Sequence, residues 1–384
     1  MHGPAHERPT MDTAEILARA DDVAAAAAAA AVSVDKEGRF PSESIDALRN
    51  AGLFGLGSAP EVGGLGGSPG VIARVIERLA RECGSTAMVT CMHYAGTAVI
   101  EAHGDEATRR AIAEGRHLST LAFSESGSRS HFWAPTSTAK ADGQGYVLDA
   151  RKSWVTSAHH ADGYVWSSGT VSGAEGPSTI WLVPRTAEGV DIQGSYVGLG
   201  LRGNDSTPVV ATGVKVPAGA MLGDDGAGFD IMMGVVLPRF NLWNASCSVG
   251  LMKGAVQRAA THCSGQRYEH IDTALADLPT IRAYLARAQI KTDMAAALIT
   301  EAAAAIEGGR EDAMLRVLEV KAGAAETALE VVALCMRVCG GAAYRADVGV
   351  ERYSRDAQAA NIMAPTTDVL YDFIGKAITG LPLF

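Results

Sequence analysis

Ile72, Val75, Ile76 and Leu79 recur at i, i+3, i+4 and i+7, the spacing that lays one apolar stripe along a helix. Ile45, Leu48 and Ala51 mark another helix, and Asn50-Ala51-Gly52 suits a left-handed helix end. This period, in an alanine-rich background, predicts a helical domain over residues 1–117. From 118 to 228 the period changes to two and glycine becomes frequent. "GYVLDARKSWVTSA", "GYVWSSGTVSG" and "STIWLVP" read as short strands rich in β-branched and aromatic residues, which predicts a middle antiparallel β domain. From 229 to 384 long helices return. Leu315, Leu318, Ala322, Ala325, Leu329, Val332 and Met336 alternate spacings of three and four, a heptad seam. Ile281, Leu285, Ala288, Ala295 and Leu298 predict its partner, and a helical bundle follows, with part of its surface available to another subunit. The expected fold class is α+β, in the order α, β, α, without long linkers or internal repeats.

Composition narrows function more than fold. A chain of 384 residues, 47% hydrophobic and 20% charged, can bury a large core. A net charge of −10 without a basic stripe argues against nucleic acid and against an anionic membrane surface. The longest apolar run, Ala24–Ala31, is too short to span a bilayer. "MHGPAHERPT" lacks the basic-then-apolar layout of a signal peptide and reads as a short flexible tail. Cys83, Cys91, Cys247, Cys263, Cys335 and Cys339 show no metal-ligand spacing and read as reduced core thiols, which points to the cytoplasm.

"GLGLRG" (Gly198, Gly200, Gly203) matches a dinucleotide fingerprint in letters only. The segment after it, "NDSTPVVATGVKVP", reads as a strand, whereas a pyrophosphate site needs a helix there. His159-His160 reads as a solvated loop doublet rather than a metal site. "LAFSESGSRSHF" gathers Ser124, Ser126, Gly127 and Ser128 in a loop after an apolar strand, where backbone N–H groups and hydroxyls can meet an anionic or carbonyl-rich ligand. In "KSWVTSA", strand alternation puts Trp154 and Thr156 on one side, an indole and a hydroxyl suited to a flat heteroaromatic ring.

With "FPSESIDALRNAGLFGLGSAPEVGGLGG", "LGLRGNDST…VKVP", "GDDGAGF", "CGG" and "ERYSRDA" in order after one another, the chain from about residue 38 onward resembles the acyl-CoA dehydrogenase superfamily of flavoproteins. The resemblance implies an N-terminal helical domain, a middle β domain and a C-terminal four-helix bundle. It implies FAD between the β domain and the bundle, in a homotetramer or homodimer. It places Phe123, Ser124 and Ser128 along the isoalloxazine and pyrophosphate, with Trp154 and Thr156 at the ring. Arg267 corresponds to an arginine that reaches FAD across the subunit interface, without the family's following Phe-Gly. Arg337, Gly340 and Gly341 fall on a cofactor-contacting Gln-x-x-Gly-Gly segment in which Arg replaces Gln, and Thr366 on a threonine that meets the phosphates. The implied substrate is an acyl thioester of CoA or an acyl carrier protein, with an electron-transfer flavoprotein or O₂ as electron acceptor.

The resemblance fails at the catalytic base. Family members desaturate the thioester by removing its α-proton with a carboxylate while hydride passes to the flavin. The usual Glu position falls on Ala364, before Pro365, in the turn of "ERYSRDAQAANIMAPTTDVL". The alternative position falls near Phe240-Asn241, also without a carboxylate. Three readings stay open. One is desaturation with another base, His93 or Asp368. Another is a flavin monooxygenase or oxidase that needs no α-proton base and takes bound FAD, or reduced FMN or FAD as co-substrate. The third is a catalytically silent flavin-binding subunit.

Overall fold

The computed structural model describes residues 11–128 and 131–383, so the expected N-terminal tail lies outside the described residues. Five helices come first: α1 (Thr13–Glu37), α2 (Ser42–Asn50), α3 (Pro69–Glu82), α4 (Gly84–His103) and α5 (Glu106–Ala113). Three of these starts, those of α1, α3 and α5, are capped by short polar side chains, Asp12, Ser68 and Asp105 accepting from the backbone N–H three residues on. Gly52 takes the left-handed conformation expected of it, φ 71°. The stripe Ile72, Val75, Ile76 and Leu79 is buried on α3.

The β region comprises β1 (Ser119–Ala122), β2 (Thr138–Asp142), β3 (Gly145–Val155), β4 (Gly163–Ser168), β5 (Thr179–Pro184), β6 (Val190–Ile192), β7 (Thr207–Pro217) and β8 (Met221–Leu222). Two four-stranded sheets form, in the orders β1-β4-β5-β8 and β2-β3-β7-β6. Buried Tyr164, Trp166, Trp181, Val209 and Val214 fill the core of this region. The pairing is antiparallel except between β1 and β4, which run parallel. The "GLGLRG" loop leads into β7, not a helix, so the fingerprint's context is absent.

The remainder is helical apart from a short antiparallel pair, Arg267–Tyr268 with Thr273–Ala274. A short α6 (Gly228–Ile231) passes through a π-turn at Met232–Val236 into α7 (Leu237–Gly265). After it come α8 (Pro279–Glu307), α9 (Ala313–Cys339), α10 (Val350–Asp356), α11 (Ala359–Ile362) and α12 (Thr367–Thr379). α9 is buried along more than one seam because α7, α8 and α12 all pack against it. Its heptad residues Leu315, Leu329 and Met336 are only half-buried, whereas Val317, Lys321, Ala324 and Ala328, which the seam passes over, are buried. Among the described residues no helix is long and apolar enough to cross a membrane.

α3 and α7 meet at glycines. A Cβ on Gly250 would overlap the Glu77 carbonyl, and one on Gly254 the Arg81 carbonyl and the Tyr353 ring. Because backbone cannot give way as a flexible side chain can, Gly250→Ala should destabilise the protein by roughly 2 kcal/mol or more. The urea midpoint of the variant checks this.

Candidate functional site

Three parts of the chain converge on a cavity of about 440 Å³. The β region contributes Phe123, Ser124, Glu125, Ser128, Trp154, Thr156 and the 196–201 loop. α4 contributes Met88 and Met92. The bundle contributes Val236, Leu237, Phe240, Met363 and Ala364. The volume lies in the range of small-molecule sites.

The floor is set by an irregularity in β3. Its register with β7 shifts between Lys152 and Val155, and Trp154 sits there at φ 57°. A bulky residue in left-handed backbone is strained and persists only where its surroundings dictate it. The bulge, rather than strand alternation, therefore decides where these side chains go. Trp154 is 69% exposed and Thr156 buried, yet both line the cavity. Thr156 Oγ1 shares a hydrogen bond of 3.0 Å with Ser206 Oγ.

Beneath the loop after β1 lies a buried ion pair. Lys152 Nζ donates to Glu125 Oε1 at 2.6 Å, to the Ser167 carbonyl at 2.7 Å and to Ser167 Oγ at 3.0 Å. Glu125 also accepts from the backbone N–H and hydroxyl groups of Thr136 and Ser137. Burial pushes the Glu125 carboxyl up, but the Lys152 ammonium and these hydroxyls outweigh it, and the pKa lies below the usual value. Burial lowers Lys152 to about 8 against the pull of Glu125. In sequence the pair lies inside "FSESGS" and at the head of "KSWVT", 27 residues apart, with no local pattern to mark it as a pair.

The mouth of the cavity is apolar and open. Val197, Leu199 and Ile362 are exposed at 89%, 65% and 75%. Asn204, also on the wall, is buried with its Oδ1 unpartnered. A planar heteroaromatic group with hydrogen-bonding edges fits this set. Trp154 offers a face, and Thr156, Ser124, Ser128 and Asn204 offer polar atoms at its rim.

The other predicted residues do not join the cavity. His93 is fully buried on α4: Nε2 bonds the Phe54 carbonyl at 3.0 Å, and Nδ1 accepts from Ser119 N–H at 3.2 Å. Its ring packs on Phe54, 4.0 Å between centroids, and burial lowers its pKa to about 3. With both nitrogens committed to backbone, it is a neutral core imidazole and not a base. Asp368 stands exposed in the first turn of α12, a helix-start carboxylate outside the cavity. Thr366 caps that helix, accepting from Val369 N–H at 3.4 Å. Arg267 is exposed and paired with Asp272 at 2.7 Å. Arg337 is exposed over the Tyr284 ring, 4.6 Å from its centroid. Gly340 and Gly341 are exposed where α9 ends. Of the Phe240-Asn241 pair only Phe240 lines the cavity, while Asn241 turns its amide to the Val317 carbonyl. His159 and His160 both meet Asp205, and the His160 ring stacks on Phe40.

Sequence models of the acyl-CoA dehydrogenase N-terminal, middle and C-terminal domains match residues 10–115, 120–214 and 226–379. The chain belongs to the acyl-CoA dehydrogenase family of flavoprotein oxidoreductases. It is 27% identical over 355 residues to the probable acyl-CoA dehydrogenase FadE25 of Mycobacterium leprae, covering 91% of this chain and 90% of that one. Butyryl-CoA dehydrogenase from Megasphaera elsdenii shares the fold with a TM-score of 0.89 at 22% identity, covering 99% of this chain and 100% of the other. The prolyl acyl carrier protein oxidase AnaB does so with a TM-score of 0.86 at 18% identity, covering 96% and 99%.

Two expectations follow from the buried groups. Lys152→Met strands Glu125 as a buried charge and should cost roughly 3–5 kcal/mol in urea unfolding. For His93, a histidine in the unfolded chain titrates at about 6.5, above the folded value of about 3. The unfolded state therefore binds the extra proton between those values. The stabilisation is complete above the unfolded pKa and drains away as pH falls toward the folded one. Between about pH 7 and about pH 5, His93→Gln should flatten the loss of stability by up to roughly 2 kcal/mol. It should leave the shape of any pH–rate profile unchanged.

Proposed function

We propose that this chain binds FAD in the cavity and carries out an oxygen-dependent oxidation of an acyl thioester, carried by CoA or an acyl carrier protein, in place of α,β-desaturation. One observation carries the choice: among the described residues the cavity wall offers no free base. Ala364 and Phe240 stand where the family resemblance puts the carboxylate, and both face the cavity. Glu125, the one carboxylate on the described wall, is held by Lys152 and four donors of Thr136 and Ser137. His93 lies in the core.

An α-proton next to a thioester leaves only to a positioned base, so this wall can hold the substrate without ionising it. A bound flavin would supply two-electron redox chemistry. In the oxygenation, one atom of O₂ enters the substrate and the other leaves as water. The two electrons come from reduced flavin, either resident FAD or reduced FMN or FAD delivered as co-substrate. Trp154 and the bundle would hold the ring, and Thr156 and Ser124 would offer hydrogen bonds to its edge. The chain's apolar wall of Met88, Met92, Leu121 and Phe240 keeps water from the reacting carbon. Self-association to a tetramer or dimer belongs to this reading, supported by Ile290 and Met294, exposed at 60% and 67% on α8.

The test mixes purified flavin-loaded protein with saturated acyl-CoAs under anaerobic conditions and follows the flavin's visible absorbance. No bleaching is expected. Supplying reduced flavin and air should then give O₂ consumption that depends on the thioester, and a product carrying oxygen from labelled O₂. Anaerobic bleaching by a saturated acyl-CoA would instead establish desaturation. Failure to bind any flavin would overturn both chemistries.

A further inference from the structure

Lys321 is a lysine where a bundle calls for an apolar residue. It lies on α9 between Val320 and Ala322 and is fully buried. Its ammonium donates to three backbone carbonyls, Ala360 at 2.9 Å, Met363 at 3.0 Å and Pro365 at 2.7 Å. An ammonium has three donors, and all three are used. No carboxylate pairs with it among the described residues, and burial lowers its pKa to about 7. Placing a cation here without a counterion is costly, and methionine or leucine would pack α9 without that cost.

The three carbonyls show what the cost secures. α11 is a single turn, so the carbonyls at its end have no partner within the helix. The chain then runs through Met363-Ala364-Pro365 to the cap of α12, and the Ala364–Pro365 peptide is cis. Met363 and Ala364 are the part of this segment that forms the cavity wall. Other bonds reach it from the sides. Asn244 Nδ2 bonds the Met363 sulfur at 3.3 Å, and Asn361 Nδ2 the Ala325 carbonyl at 3.2 Å. Among the described residues, Lys321 alone bonds the backbone both before and after Ala364.

We propose that Lys321 is a positioning residue. From the bundle interior it latches the Met363-Ala364-Pro365 wall at the distance the bound ligands require. Lys321 does not line the cavity, so it acts through the turn and not on the reacting atoms. The effect on turnover rests on the proposed reading of the cavity, whereas the latch itself does not.

Lys321→Met removes the donors at nearly constant volume, and Lys321→Gln keeps two of them. Hydrogen exchange read by mass spectrometry over residues 357–370, with α7 as internal control, is combined with kcat and KM. In Lys321→Met, the amides of 359–366 should exchange at least roughly tenfold faster while α7 is unchanged. kcat should fall at least about tenfold, with KM nearly constant, because misplacing a wall affects orientation more than binding. Lys321→Gln should lie between. Unchanged exchange over 359–366 overturns the latch whatever happens to activity. Faster exchange along the whole chain, or failure of both variants to fold, makes Lys321 a global stability residue and overturns it as well. Local loosening with unchanged kcat overturns the role in turnover. Wild-type protein that binds no flavin would overturn the reading of the cavity and leave the exchange result standing.

Discussion

The cavity exists because α10 holds three separate parts of the chain together. Arg355 pairs with Asp35 of α1 through two parallel bonds of 2.7 and 2.8 Å, with Glu351 one turn back, and with the Leu199 carbonyl of the loop before β7. Asp356, fully enclosed, accepts the Leu201 N–H at 2.6 Å. Tyr353 and Arg352 bond the last carbonyls of α3, those of Arg81 and Glu82. A two-bond arginine–carboxylate contact fixes direction as well as distance. Its effect is to hold the 196–201 loop, which forms the mouth of the cavity, against the helices on both sides. Gly200 shows how close the approach is, since a Cβ there would overlap the Arg355 carbonyl.

The fold was legible where one face of an element is buried and the other is not. α3, with its single apolar stripe, and β3, with its alternating burial, follow directly from periodicity, while β4 and β5, buried on both faces, are marked by their β-branched and aromatic composition. Reading failed where a helix is enclosed nearly all round or where hydrogen bonds replace packing. α4 is enclosed nearly all round, so His93 carries no periodic mark to separate a core imidazole from a catalytic one. Only its bonds to Phe54 and Ser119 do so. α9 is enclosed by α7 and α8 together, so a single seam could not show that Lys321 points inward. The parallel pairing of β1 with β4 joins strands far apart in sequence, and local pattern holds no trace of it.

The candidate site was legible in part for a related reason. Phe123, Ser124, Ser128, Trp154 and Thr156 lie within two short segments, and a short segment stays together in any fold. Arg267, Arg337, Gly340, Gly341 and Thr366 came from resemblance alone. In the single chain they lie on the surface or at a helix start, outside the cavity. For Arg267 the resemblance itself assigns the contact to a neighbouring subunit, which the geometry of one chain cannot supply. The bulge at Trp154 carries a further lesson: the two side chains share the cavity, but a broken register brings them there, and alternation does not.

The same cavity separates shape from chemistry. Glu125 lies on the wall, but a buried cation and four further donors take up its acceptor capacity, so it anchors the loop after β1 and is not free to accept a proton from substrate. Ala364 lacks a carboxylate, yet its turn is held more firmly than a turn of that composition could hold itself, by a buried ammonium bonded on both sides of it. A wall that had merely lost its base would have no use for such a fixture. Fixing an apolar surface at a set depth makes physical sense where the surface must exclude water and hold a substrate while the reaction proceeds without a proton acceptor from the chain. On the proposed reading of the cavity, the placement of Lys321 and the absence of a carboxylate at Ala364 are two sides of one arrangement, a wall fixed in depth rather than one that supplies a base.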